Sequence, residues 1–143
     1  MNNNENQFRN IESLCPECHK ITRTKVEEET EDITIGRYTI DIPLFHGKCE
    51  KCGSTVEHQL LDFLNAQRTS EYYRKEAGLI SNEKIHRILE TLNLTTAELS
   101  DKAGFPVNRV GKFLYNNINP NAEDSNILLK IYEDENIASH YED

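Results

Sequence analysis

Cys15-Pro16-Glu17-Cys18 and Cys49-Glu50-Lys51-Cys52 hold all four cysteines of the chain, and their reading decides the fold. Two intervening residues let both thiolates of a pair face one tetrahedral ion, with a Zn–S distance of ~2.3 Å. Two such pairs complete a four-thiolate shell that leaves no position for substrate. That describes one structural Zn2+ rather than a catalytic one. Pro16 and Gly53 suit the tight turns that aim the sulfurs. The expected ligands are therefore Cys15, Cys18, Cys49 and Cys52, with His19 or His46 replacing a sulfur as the fallback. Two disulfides would need an oxidising compartment. A redox Cys-x-x-Cys stands alone near a βαβ pattern, which this chain lacks. A zinc deaminase needs His-x-Glu beside its cysteine pair. Only His140 has a glutamate at +2, Glu142, in the acidic tail far from the cysteines.

Thirty residues lie between Cys18 and Cys49. Ile33-Thr34-Ile35 and Tyr38-Thr39-Ile40-Asp41-Ile42 alternate with the two-residue period of strands. Gly36-Arg37 between them reads as a hairpin turn. Residues 20–26 read as a further strand, and Glu27-Glu28-Glu29-Thr30-Glu31-Asp32 as a solvated loop. The sum is a zinc ribbon: a few short strands pinned by metal, too small to fold without it.

Beyond the second pair the pattern turns helical. From about Glu57 to Ala77, Leu60, Leu61, Leu64 and Arg68 share one face, followed by Tyr72 and Lys75. Gly78 stops this linker helix. Four helical segments follow. Ser81 opens the first, carrying Ile85, Ile88, Leu89 and Leu92. Thr95-Thr96-Ala97-Glu98 is a capping box for a short helix ending at Ala103. Gly104 supplies the turn, and Pro106 fits the first turn of the next helix, which runs to about Tyr115. Residues 116–120 form a loop. Asn121 caps the last helix, which buries Ile127, Leu128, Ile131 and Tyr132. The fold class is thus α+β: residues 1–56 a zinc-binding ribbon, 57–79 a helical linker, 80–143 an all-α helix-turn-helix domain. Leu99, Ala103, Phe105, Val110 and Phe113 would face each other across the two helices, with small Ser100 at the crossing.

Composition bounds the function. The chain has 143 residues, 36 % of them hydrophobic, and a net charge of −9. A large core is not expected, and metal or a dimer interface would help a small one. No apolar run is long enough to span a membrane. The polar N-terminus, Met1-Asn2-Asn3-Asn4-Glu5-Asn6-Gln7, lacks a signal-peptide pattern, so a cytoplasmic protein is expected. Net acidity argues against indiscriminate coating of nucleic acid, yet leaves room for a local basic surface. Residues 102–116 contain Lys102, Arg109 and Lys112 and no acid, whereas residues 80–143 carry 6 basic and 11 acidic side chains. Residues 20–26 are also basic and acid-free. In a helix-turn-helix the recognition helix enters the major groove N-terminal end first. Asn108 suits a bidentate contact to adenine, Lys112 guanine O6/N7, and Arg109 a base or phosphate. Asn108 and Lys112 lie four apart, on one helix face.

A four-cysteine ribbon, a helical linker and a helix-turn-helix in this order resemble the MqsA-type antitoxins, with their YgiT-type zinc finger and Xre-type DNA-binding domain. The resemblance covers roughly Cys15 to Glu135. It rests on Cys15-Pro16-Glu17-Cys18-His19, on Phe45-His46-Gly47-Lys48-Cys49, and on Val107-Asn108-Arg109-Val110-Gly111-Lys112-Phe113 running through Asn117-Ile118-Asn119-Pro120 without a gap. In that family an Asn and an Arg of the recognition helix read bases. Asn108 carries the Asn over. Lys112 stands at the Arg position, where a lysine lacks the planar fork, which implies a different or weaker operator. The acidic run 27–32 and the Asn-rich arm have no counterpart in the resemblance. The resemblance implies a homodimer through the C-terminal domain, double-stranded DNA with a palindromic operator, and a zinc domain that grips a toxin, in the best-known case an mRNA-cleaving RNase.

The expected function is therefore a sequence-specific autorepressing regulator and antitoxin. The alternative is a zinc-stabilised protein–protein interaction module whose helix-turn-helix dimerises or docks a protein; the net charge favours it, the basic segment does not. An enzyme is not expected: the chain shows no nucleophile elbow, no HExxH, no phosphate loop and no convincing carboxylate pair.

Overall fold

The computed structural model describes Phe8 and residues 10–141. They form a four-stranded antiparallel sheet followed by five α-helices. The strands are β1 (Glu12–Cys15), β2 (Lys20–Ile35), β3 (Tyr38–Cys49) and β4 (Thr55–Val56), in the spatial order β1-β2-β3-β4. The helices are α1 (Gln59–Ala77), α2 (Asn82–Leu92), α3 (Thr96–Ala103), α4 (Arg109–Tyr115) and α5 (Ala122–Asp134), with a closing 3-10 turn at Ile137–His140. The chain divides into two compact units, Met1–Thr69 and Ser70–Asp143. The division falls inside α1.

The expected fold class, a small ribbon of short strands, a linker helix and a helix-turn-helix domain, is corrected by this architecture. The N-terminal part is a sheet dominated by one long hairpin. β2 has 16 residues and β3 has 12, and they pair without a break from Thr24↔Cys49 to Ile35↔Tyr38. Gly36 turns the hairpin at φ 58°, a left-handed conformation that side-chain-bearing residues resist. The acidic run 27–32, expected as a loop, is the middle of β2. Six polar residues carry no hydrophobic alternation from which a strand could be read. Their pairing is dictated by the turn and by apolar β3 opposite, where Glu28 faces Phe45 and Glu31 faces Ile42. Successive carboxylates leave on opposite faces of the strand, and the strand stays largely exposed. Asp32 and Asp41 are directly opposite; their hydrogen bond and mutual repulsion raise the Asp41 carboxyl above its ordinary range.

The first unit has two small cores. One gathers Cys15, Cys49 and Val56. The other gathers Phe8, Phe45 and Leu61, flanked by Ile11, Val26 and Leu64. Phe8 and Phe45 meet edge to face with centroids 4.9 Å apart. β4 pairs with β3 only at Gly47 and Lys48, so β3 has an uncovered edge at Phe45. The Asn65 amide of α1 covers it, accepting from Phe45 N–H at 2.8 Å and donating to Phe45 O at 2.9 Å. Arg68 continues this face. It donates to Pro43 O and Glu28 Oε2, both at 2.9 Å, and lies 4.0 Å over the Phe45 ring. The packed face of α1 is therefore Leu61, Leu64, Asn65 and Arg68; Leu60 and Tyr72, expected on it, are exposed. Adjacent residues lie about 100° apart on a helix, so Leu60 and Leu61 cannot share the same seam.

The second unit surrounds one core that includes Ile85, Ile88, Leu99, Val110, Phe113, Leu128 and Ile137. Its helix ends follow the sequence signals. Ser81 Oγ accepts from Lys84 N–H at 3.2 Å. Thr95 and Glu98 form the capping box, with bonds of 3.1 and 2.9 Å. Gly104 ends α3 in the left-handed region at φ 79°. Asn121 caps α5 through Asp124 N–H at 2.7 Å. α4 starts at Arg109, later than Pro106 had suggested; Pro106 O accepts from Arg109 N–H at 3.0 Å in the turn that precedes it.

Candidate metal centre and nucleic-acid interface

The two Cys-x-x-Cys segments fold into matching turns. His19 N–H donates to Cys15 O at 2.9 Å, and Gly53 N–H to Cys49 O at 2.8 Å. His19 and Gly53, each following the second cysteine of its pair, are both left-handed, at φ 58° and 78°. Gly53 was legible as a turn residue. The backbone role of His19 was not, because histidine takes this conformation less often than glycine or asparagine. Neither His19 nor His46 joins the metal-binding group among the described residues. His46 Nε2 instead faces Glu31 Oε2 at 2.5 Å.

All four cysteine sulfurs lie within 4.8 Å of one another. Cys15 Sγ and Cys52 Sγ are 3.5 Å apart, Cys18 Sγ and Cys49 Sγ 3.9 Å. A disulfide would require ~2.05 Å. Four sulfurs at ~2.3 Å from a tetrahedral ion would stand about 3.8 Å apart, so the observed spacings match a single tetrahedral ion. The chain supplies further support around the sulfurs. Cys18 N–H donates to Cys15 Sγ at 3.3 Å, Thr22 Oγ1 lies 3.0 Å from Cys49 Sγ, and Ser54 Oγ lies 3.2 Å from Cys52 Sγ. The Thr22 hydroxyl brings the Cys49 thiol down to about 6. Ser54 lowers Cys52. Hydrogen bonding to Cys52, helped by burial and the other two sulfurs, pushes Cys18 up to about 12. A cation is what lets four adjacent sulfurs carry charge together.

Gly47 makes the neighbouring strands fit. A Cβ there would stand 3.0 Å from Thr24 Cγ2 and 3.1 Å from Val56 O. One of these is strand backbone and cannot swing away. Gly47→Ala is expected to destabilise the first unit by about 1–3 kcal/mol, checked by denaturant unfolding of the metal-loaded protein against the parent.

In the second unit, α3 and α4 pack across Leu99, Val110 and Phe113. Buried Ser100 is more than a small residue at the crossing: its Oγ accepts from Val110 N–H at 3.1 Å, tying α3 to the first turn of α4. The structure separates the four basic-segment candidates. Asn108 and Lys112 are exposed on α4 or at its start, and Asn108 spends no side-chain bond on capping. Arg109 is engaged elsewhere: its Nη1 pairs with Asp124 Oδ2 at 3.1 Å and its guanidinium lies 5.6 Å from the Phe105 ring centre. Lys102 pairs with Glu135 at 3.7 Å near the surface.

One residue essential to this arrangement gave no sequence signal. Arg74, on α1 within the second unit, is 2 % exposed. Its Nε donates to Asn119 Oδ1 at 3.0 Å, and its Nη2 to Phe113 O at 2.8 Å and Ile118 O at 3.0 Å; its Nη1 donates to Asn82 Oδ1. Ser70 Oγ donates to the same Asn119 oxygen at 2.6 Å. Burial lowers the Arg74 pKa, countered in part by Glu71. The guanidinium thus holds the C-terminal end of α4 and the loop 116–120 in place.

No helix among the described residues is long and apolar enough to cross a membrane. No family model and no curated protein matches the chain.

Proposed function

We propose that the protein is a sequence-specific DNA-binding regulator, the autorepressing antitoxin of a toxin–antitoxin pair, acting in the cytoplasm. The observation that carries this reading is the exposed surface of α4. It presents Asn108 and Lys112 one turn apart, within a segment, 102–116, that contains no acid although the chain as a whole is at −9. Placed in the major groove, such a face offers an amide for adenine and an ammonium for guanine. Arg109, held by Asp124 and Phe105, positions α4 rather than reading a base. Lys102 adds a phosphate contact. The ion held by the four cysteines is one structural zinc, the common occupant of a closed four-thiolate tetrahedron; elemental analysis of the purified protein tests this directly.

The resemblance to MqsA-type antitoxins supplies the rest of the reading. The protein binds a palindromic operator as a homodimer through its helical unit, and the metal-held sheet grips a toxin, of which an RNase is one form. The acidic strand 27–32 favours a basic partner. Failure to isolate a complex with the product of the adjacent gene would count against the toxin step.

A gel shift of the zinc-loaded protein on its own upstream DNA tests the DNA reading. The shift is expected to be sequence-specific and to weaken as salt rises, because phosphate contacts release counterions. Asn108→Ala and Lys112→Ala are each expected to cost about 1–3 kcal/mol of operator affinity. Undiminished binding by the double variant would remove α4 from the groove. The second reading, a protein-docking module, is favoured by the net charge and by exposed Val107, Tyr115 and Ile118. Absence of any shift at low salt would select it.

A further inference from the structure

Val107 occupies a position that its packing does not explain. It is 67 % exposed, and Tyr115 and Ile118 nearby are 64 % and 48 % exposed. Single exposed apolar residues are ordinary. Here three of them flank Asn108 and Lys112 on an acid-free stretch. The residues on either side of Val107 fix its backbone. Phe105 is buried and stacks edge to face on Phe113 with centroids 6.3 Å apart. Arg109 is tied to Asp124 by its side chain and to Pro106 O by its N–H. Val110 is fully buried, with its N–H held by Ser100. Val107 is therefore presented outward between fixed points, immediately before Asn108 and at the leading end of α4. As a β-branched side chain it has little rotamer freedom to lose on contact.

We propose that Val107 is a specificity-determining residue that packs on the 5-methyl group of a thymine next to the base pair read by Asn108. This rests on the DNA-binding reading above and adds a second chemistry to it. Hydrogen-bonding side chains read nitrogen and oxygen edges of the major groove. The thymine methyl is the apolar feature there, and it is recognised by apolar contact. The occupant is duplex DNA rather than a protein partner because the flanking stretch 102–116 carries no acid and Lys112 stands exposed beside Asn108, unlike Arg109 and Lys102, which pair with Asp124 and Glu135. The cores of protein interfaces, by contrast, are depleted in lysine.

The test replaces each thymine of the protected site, one at a time, by uracil, which removes only the methyl group. Binding of the parent and of Val107→Ala is then measured at fixed salt. For the parent, one thymine position per half-site is expected to lose about three- to tenfold in affinity, the order expected for one buried methyl group. In Val107→Ala the same exchange is expected to change affinity less than twofold. Exposure of the side chain keeps the variant folded, and its helical signal checks that. Specific binding that is indifferent to every exchange would overturn the proposal alone, as would an exchange penalty equal in parent and variant. Absence of any specific binding would overturn the DNA reading itself, and this proposal with it.

Discussion

Removing the metal, or replacing Cys49 by serine, is expected to unfold the first unit while leaving the helices of the second intact. The sheet has little else to hold it. Its cores comprise Cys15, Cys49 and Val56 in one cluster and Phe8, Phe45 and Leu61 in another, two of the six being candidate metal ligands. A two-stranded hairpin alone is marginal in water, and β1 and β4 cover only the cysteine-bearing end of β2 and β3. Metal binding to such sites carries about 10–16 kcal/mol of apparent free energy, as large as the whole stability of an ordinary domain. Cys49 is the most demanding ligand to replace, being buried with its sulfur beside Thr22. The core of the second unit draws on residues 80–137 and on none from the sheet. Addition of a strong chelator is therefore expected to abolish near-UV signal from Phe8, Tyr38 and Phe45 and to open β2–β3 to protease. Helical ellipticity should largely persist. A sheet that stays protease-resistant after the metal is gone would show that hydrophobic packing alone sustains it. Acid should mimic chelation, because protons compete with the metal for the four sulfurs.

The parts of this molecule that were legible in the sequence are those whose signal is local. Cys-x-x-Cys spacing specifies a turn and an ion within a few residues. Thr95 and Glu98 announce a helix start because the capping box is completed three residues later. Gly36 and Gly104 mark turns because they permit a left-handed backbone. The parts that were not legible depend on residues far apart in the chain. The run 27–32 became strand because of its partner 41–46, not its own composition. The uncovered edge at Phe45 is matched to Asn65, twenty residues on, by an amide that no periodicity distinguishes from any other. In the sequence, charge groups Arg109 with Lys102 and Lys112. Only the fold shows that Asp124, fifteen residues later, holds Arg109. Thr22 and Ser54 likewise give no sign in sequence that their hydroxyls stand beside sulfur.

Arg74→Met is expected to destabilise the second unit by about 3–5 kcal/mol, the cost of breaking a buried polar set by removing one member. Methionine keeps the apolar bulk of the stem and removes the donors. It would leave Asn82 Oδ1, Phe113 O and Ile118 O without the guanidinium and Asn119 Oδ1 with Ser70 alone. No carboxylate hydrogen-bonds to the guanidinium among these contacts; carbonyl dipoles meet its N–H groups, and Glu71 offsets its charge through space. Phe113 O lies in the last turn of α4, where a cation also meets the negative end of the helix dipole. Lysine cannot substitute fully, because a single ammonium cannot reproduce the planar fork that reaches several acceptors at once. Arg74→Lys should therefore recover part of the loss. Asn119→Ala in the Arg74→Met background should cost much less than in the parent, since the two act in one network. Denaturant unfolding of the four proteins measures that coupling. The same clamp fixes the loop 116–120 that follows α4, so on the proposed DNA-binding reading Arg74→Met should also weaken operator binding at temperatures where the unit remains folded. A stability loss under about 1 kcal/mol, or strictly additive effects of the two substitutions, would mean that water satisfies these acceptors and that α4 is held by its apolar face alone.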